Sequence, residues 1–288
     1  MTTSTRRNSL IVVTGASTGM GAATARALAA RGFQVLAGVR RAVDGDAIAA
    51  DGITPVILDI TRPEQIAELA ALIEADGRPL RALVNNAGIV VNAPVEVLPM
   101  AEWRRQFDVN VFGHIEVTQA LLPALLRSRG RVVTISSLVG RVAQPTYGAY
   151  SGSKFAIEAV FDALRREMAP HGVEVVIIEP GAVRTEMVGR GGVTARRLID
   201  EMTPEQQQRH GGLMHAILAQ SDGFLRDGVD AARAAEIIAG ATTTRRPRIR
   251  YTIGRDAALL TRLSRILPDR ALDRVLASAL RPLFPKTR

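Results

Sequence analysis

The chain has 288 residues, 47% hydrophobic and 4% aromatic, with no cysteine. That is enough chain for one large α/β domain with a full core and a tail, and it excludes a disulfide framework or a thiolate metal site, so no metal is expected. The formal net charge of +9 suggests nucleic acid until it is located: twelve Lys/Arg against three Asp/Glu from Arg245 to Arg288 account for all of it, and that tail holds only Tyr251 and Phe284 for stacking and no nucleic-acid module.

The polar start through Arg6 and Arg7 leads into no apolar signal core, and no uninterrupted apolar run nears the roughly 20 residues of a membrane span. A cytoplasmic protein, at most peripheral to a membrane, is expected. Leu10 to Val13 reads as a strand buried on both faces. It runs into Thr14-Gly15-Ala16-Ser17-Thr18-Gly19-Met20-Gly21, and Ala22 to Arg31 follows with helix-forming composition. A strand, a glycine-rich turn and a helix N-terminus in that order gather free backbone N–H groups and the positive end of a helix dipole on one point, which suits a diphosphate. Phe33 to Val39 is a second strand ending at Arg40-Arg41, where an acidic residue would read a ribose 2′-hydroxyl and an arginine would take a 2′-phosphate. Arginine favours NADP(H), with NAD(H) as the alternative; otherwise the two arginines are solvated loop charges.

A third strand at Thr54 to Leu58 ends at Asp59-Ile60, and a helix covers Arg62 to Asp76. Leu80 to Val84 gives a fourth strand followed by Asn85-Asn86-Ala87-Gly88, then one long helical pattern from Glu102 to Arg127 containing Asn110. Arg131 to Ile135 ends at Ser136-Ser137; Gly148 to Met168 is a helix; Val173 to Ile178 is closed by Glu179-Pro180-Gly181. Strand and helix alternating on short links predict a Rossmann-type, doubly wound parallel sheet of about seven strands with its ligand crevice at the strand carboxyl ends. The helix from Gly148 carries Tyr150 and Lys154, one turn apart on one face. An ammonium near a phenol favours the phenolate, so this pair is a candidate general acid/base with its pKa pulled below the free value of about 10.

These motifs in this order resemble the short-chain dehydrogenase/reductase family over roughly Ser9 to Met187: T-G-x-x-x-G-x-G at Thr14 to Gly21, N-N-A-G at Asn85 to Gly88, a helix asparagine at Asn110, a serine at Ser137, Y-x-x-x-K at Tyr150 and Lys154, and P-G-x-V-x-T at Pro180 to Thr185. The runs Gly130 to Val142 and Leu164 to Met168 are similar to the retinol and 17β-hydroxysteroid dehydrogenase branch. The resemblance implies that Tyr150 exchanges a proton with the substrate oxygen as hydride moves to or from nicotinamide, that Ser137 orients that oxygen, that Lys154 lowers the tyrosine's pKa and binds the nicotinamide ribose, and that Asn110 holds a relay water. It places Gly15, Ser17, Thr18, Met20 and Gly21 around the diphosphate and adenosine ribose, Arg40 on a 2′-phosphate, and Asp59 and Ile60 beside adenine. Asn86, Ala87 and Gly88 line the middle of the cofactor, and Pro180, Gly181, Val183 and Thr185 the nicotinamide. Thr18 departs from the basic residue many NADP(H) members carry there, so the coenzyme assignment rests on Arg40.

Residues 1–255 are read as the catalytic domain, with an irregular, apolar substrate lid at about 185–229, and 256–288 as a basic extension of two amphipathic helices broken at Pro268. The extension packs on the body or a second subunit, or touches an anionic membrane. A small-molecule substrate, a hydrophobic secondary alcohol or ketone or a retinoid- or steroid-like carbonyl, is expected for an NAD(P)(H)-dependent oxidoreductase, in a homodimer or homotetramer. The alternatives are a 3-oxoacyl or small-ketone reductase and a non-catalytic NADP(H) sensor.

Overall fold

The computed structural model describes residues 8–285; the leading polar segment with Arg6 and Arg7, and the last three residues of the basic tail, lie outside the described residues. In chain order the elements are β1 (Leu10–Val13), α1 (Gly19–Ala30), β2 (Gln34–Val39), α2 (Ala42–Ile48), β3 (Ile53–Ile57), α3 (Pro63–Asp76), β4 (Leu80–Asn85), α4 (Met100–Phe107), a π-helical turn (Asp108–Phe112), α5 (Gly113–Ser128), β5 (Arg131–Ile135), α6 (Gly148–Met168) and β6 (Glu174–Pro180). Then come α7 (Glu186–Asp200), α8 (Pro204–Asp227), α9 (Ala231–Thr243), β7 (Arg250–Ile253), α10 (Arg255–Ile266) and α11 (Asp269–Leu280).

The strands form one sheet in the order β3-β2-β1-β4-β5-β6-β7, parallel throughout. Successive residues of a strand point to opposite faces, so β1 feeds two cores. Ile11 and Val13 pack with Ala25 and Leu28 of α1 and Ile238 of α9; Leu10 and Val12 face Ile66, Leu69 and Ile73 of α3, Leu121 and Leu125 of α5, and Phe161 of α6. With both faces covered, the strands need continuous apolar runs rather than alternation, which is what β1 and the Val175 to Ile178 stretch of β6 show. The order reverses between β1 and β4, and the crevice opens there at the carboxyl ends.

Three differences from the sequence reading have physical reasons. The expected single helix across Glu102 to Arg127 is interrupted by the π turn, which puts one extra residue into the coil at Asn110. The segment Met100–Ser128 has the length and apolarity of a membrane-crossing helix, but Val111, Val117, Leu121 and Leu125 are spent on the sheet core. The lid is helical where an irregular stretch was expected: α8 begins at a capping box in which Thr203 Oγ1 accepts from the Gln206 N–H and Gln206 Oε1 from the Thr203 N–H. Between α7 and α8, Ala195, Ile199, Met202 and Met214 make a small core of their own.

The basic extension forms the two helices α10 and α11, and its end turns inward: Leu280 is buried with Val139, Tyr147, Tyr150 and Ile217, and Leu283 packs on the same cluster. At the opposite end of the sheet Arg131, wholly buried, donates to the carbonyls of Ala241 (2.6 Å), Thr242 (2.7 Å) and Thr244 (2.8 Å) at the C-terminus of α9, and pairs with Glu174. It satisfies carbonyls that a helix end otherwise leaves open. Arg131→Leu strands those acceptors and should cost about 3 kcal/mol, read as a fall in the urea midpoint with unchanged slope; an unchanged midpoint would show that the clamp contributes nothing.

Candidate active site

The turn after β1 is shaped by glycine at two points. Gly15 sits at φ +63°, and a Cβ there would lie 2.7 Å from the Ala87 Cα; a Cβ on Gly21 would lie 2.2 Å from the Gly15 carbonyl oxygen. The close approach is locked by Asn86, whose Nδ2 donates to the carbonyls of Thr14 (2.9 Å) and Gly15 (3.0 Å), while Thr14 Oγ1 accepts from the N–H groups of Asn86 and Ala87 at 3.0 Å each. The ends of β1 and β4 are thereby fixed to each other. Helix α1 starts just beyond with no side-chain cap and no acid in its first turn, so its leading N–H groups remain available to an anion.

These elements line a cleft of about 540 Å³. Gly15, Ser17, Thr18, Met20, Gly21, Arg40, Asp59, Ile60, Asn86, Ala87, Gly88 and Thr185 all border it. Of the two arginines after β2, Arg41 is committed to Asp44 through Nε (2.8 Å) and Nη2 (2.6 Å), whereas Arg40 makes no hydrogen bond or ion pair among the described residues. Asp59 Oδ1 accepts from the Thr61 N–H (3.0 Å) and hydroxyl (2.8 Å), which leaves Ile60 as an apolar wall.

A second cavity, of about 130 Å³, is bordered by Ser137, Tyr150, Lys154, Pro180, Gly181 and Val183. Both spaces are bordered by Met20, Asn86, Gly88, Val90, Thr185 and Met187, so the two meet beside Tyr150 and Lys154. Helix α6 brings both residues there, and both are buried, as its one-turn spacing allows. Lys154 Nζ donates to the Ile135 carbonyl at the end of β5 (2.9 Å) and stands 5.8 Å from the centre of the Tyr150 ring. Ser137 lies within hydrogen-bonding reach of the Tyr150 phenol. Asn110 borders neither space: its Oδ1 accepts from the Ile89 N–H (2.9 Å), and its Nδ2 donates to the Ile89 carbonyl (2.9 Å) and to Ser153 Oγ (3.1 Å). Ser153 Oγ in turn donates to the Tyr150 carbonyl (2.7 Å), so Asn110 ties the loop after β4 to the catalytic helix.

The electrostatics reverse one expectation. Burial, the largest influence, pushes the Tyr150 phenol up to about 12, and the Ser137 hydrogen bond only partly offsets it. Burial likewise pulls Lys154 down to about 8, against the pull of the Glu158 carboxylate. The tyrosine is therefore held as a neutral phenol, because taking an anion out of water outweighs a cation whose nearest partner is a backbone carbonyl. The lysine uses one of its three N–H donors on protein, leaving two for a ligand. A nicotinamide dinucleotide fits these residues: uncapped helix N–H groups for its diphosphate, Arg40 for a 2′-phosphate, and Lys154 for ribose hydroxyls.

Sequence reasoning did not find His114, which is fully buried with its Nε2 2.8 Å from the Ala87 carbonyl and is pushed down to about 3 by burial and the nearby Lys154. As a neutral ring it donates there and braces the loop. Nor did it find Asn92, Tyr147, Ser221 and Phe224 around the smaller cavity, or Arg190 beside the cleft. Only Tyr147 had a signal, standing one helical turn before Tyr150.

Comparison with known proteins agrees with this geometry. The family model for short chain dehydrogenase matches residues 9–193. The 3-amino-tetrahydro-pyrrolizinone reductase of Xenorhabdus hominickii is 36% identical over 270 residues, covering 91% of this chain and 93% of that protein. Retinol dehydrogenase 5 of Mus musculus is 35% identical over 280 residues, covering 93% and 88%. A solved short chain dehydrogenase from Burkholderia cenocepacia J2315 in complex with NADP superposes with a TM-score of 0.72 at 27% identity, covering 96% of this chain and 98% of that one. The chain belongs to the short-chain dehydrogenase/reductase family of oxidoreductases, in a retinol dehydrogenase-like branch.

Proposed function

We propose that the chain is an NADP(H)-preferring alcohol dehydrogenase or carbonyl reductase acting on a hydrophobic secondary alcohol or ketone, of the retinoid- or steroid-like kind. The observation that carries this reading is the position of Tyr150, Ser137 and Lys154 where a nucleotide-sized cleft meets an apolar cavity. The coenzyme, when bound, supplies or accepts the hydride at its nicotinamide.

The chain's own residues handle the proton. In reduction Tyr150, protonated throughout the neutral range, donates its O–H proton to the substrate oxygen, and Ser137 hydrogen-bonds the same oxygen and holds it in line. The phenolate that remains is stabilised by the Lys154 ammonium. Oxidation runs the same transfer backward. Asn110 and Ser153 hold the turn of α6 that carries Tyr150, so that the phenol does not have to be oriented during the reaction. The apolar walls contributed by Val90, Leu138, Val139 and by Phe224 of α8 favour a lipophilic substrate. The preference for NADP(H) rests on Arg40, which is free to meet a 2′-phosphate while Arg41 is not.

Tyr150→Phe should lower kcat/KM for a carbonyl substrate by about a thousandfold or more while NADPH still binds; full activity would remove Tyr150 from the reaction. Arg40→Ala should weaken NADPH about tenfold or more and leave NADH nearly unchanged in equilibrium titrations. Equal losses for both coenzymes would show that Arg40 does not read the phosphate.

A further inference from the structure

The smaller cavity is apolar along Val90, Leu138, Val139 and Phe224, yet one side of it is polar and serves none of the steps above. Tyr147, Asn92 and Ser221 border it together. Each is more than nine-tenths buried, with 8%, 6% and 7% of its surface exposed. Ser221 and Asn92 both reach the Tyr147 phenol, and burial keeps that phenol neutral. With the Asn92 amide N–H₂ turned to the phenol, its Oδ1 is buried and has no hydrogen-bond partner among the described residues. The Asn92 amide oxygen is sealed from the cavity, so the polar groups this side offers to a ligand are the Tyr147 and Ser221 hydroxyls.

The backbone around the group is built at a cost. Thr146, directly before Tyr147, sits at φ +66°, a left-handed conformation that a β-branched residue rarely takes. Its carbonyl accepts from the Ala93 N–H (3.0 Å), which ties the loop carrying Asn92 to the turn carrying Tyr147. The third member, Ser221, comes from lid helix α8. The Tyr147 and Tyr150 rings stand 6.3 Å apart between centres, tilted at 55°. One phenol serves the reacting oxygen, and the other stands a short molecular span away.

We infer that Tyr147, Asn92 and Ser221 form a second polar subsite for the substrate, and that the preferred substrate is an apolar carbonyl or alcohol with a hydroxyl at the end remote from the reacting carbon. That hydroxyl exchanges hydrogen bonds with the Tyr147 phenol and the Ser221 hydroxyl, while the Asn92 amide holds the phenol in place. A purely hydrocarbon ketone leaves both hydroxyls without an exchange partner for the water they lose, which is the situation in which a site discriminates most strongly. This inference rests on the carbonyl-reductase reading of the same site and sharpens its substrate class.

The test is calorimetric titration of 2-tetralone and of 6-hydroxy-2-tetralone, whose phenolic hydroxyl has no hydride to give up, into the full chain saturated with NADP⁺, so that binding is read without turnover. The hydroxylated ketone should bind about tenfold tighter or more, and the ratio should fall toward one in the near-isosteric Tyr147→Phe and in Asn92→Leu. Equal affinities, no binding of either ketone, or a ratio that survives both substitutions overturns the subsite. Turnover of the same two ketones with NADPH is read separately: reduction of both at equal affinity leaves the oxidoreductase standing and removes only the subsite, whereas selective binding without reduction by NADPH does the reverse.

Discussion

An ammonium kept out of water is the constraint around which the rest of this site is arranged. Lys154 is 4% exposed, and burial works against its proton. Two features oppose that loss: the Ile135 carbonyl, placed by the end of β5, and the Glu158 carboxylate one turn further along α6. Glu158 is itself buried and held by Arg250 of β7 (2.9 Å), which also reaches Glu179 at the end of β6 (3.2 Å). The last strands of the sheet and the catalytic helix thus share one charge network. The net result, a lysine at about 8, keeps the cation at neutral pH with about a tenfold margin.

The same burial decides which form the tyrosine takes. A lone Tyr/Lys pair on a wet helix would tip toward phenolate, but here desolvation dominates and the phenol keeps its proton. That suits a reductase, whose acid must be loaded before the carbonyl arrives. It also assigns the lysine's charge to the moment after proton transfer, when the phenolate first exists. The cleft and the cavity meet at this pair because Asn86 and Thr14 have locked the neighbouring strand ends together.

Most of this was legible in the sequence wherever a motif sits at a strand end, because the parallel sheet collects all such ends on one edge. Gly15, Asn86, Ser137 and Pro180 fall into that pattern, the Tyr150/Lys154 pair was legible from its one-turn helical spacing instead, and the structure gathers all of them on the two adjoining spaces. Two kinds of information were not legible. The lid at 185–229 reads as irregular because of Gly189, Gly191, Gly192, Gly211 and Gly212, yet these lie inside α7 and α8, where each costs about 1 kcal/mol against alanine and tertiary packing overrides it; Gly191 passes so close to Val90 that a Cβ would stand 3.0 Å from its Cγ1. The sign of the Tyr150 shift depends on burial, which spacing along a helix does not encode. Asn92, Tyr147 and Ser221 come from three separate segments and share no sequence pattern at all.

The most direct measurement is the pH profile of kcat/KM for reduction of a carbonyl substrate by NADPH, taken with the native chain and with Lys154→Arg. Loss of the lysine's proton should bring the native rate down as the pH rises through about 8, well before Tyr150 ionises at about 12. Arginine, which keeps its charge, should move that descending limb to higher pH. A native profile that stays flat through that range, or a limb left in place by Lys154→Arg, would contradict the account.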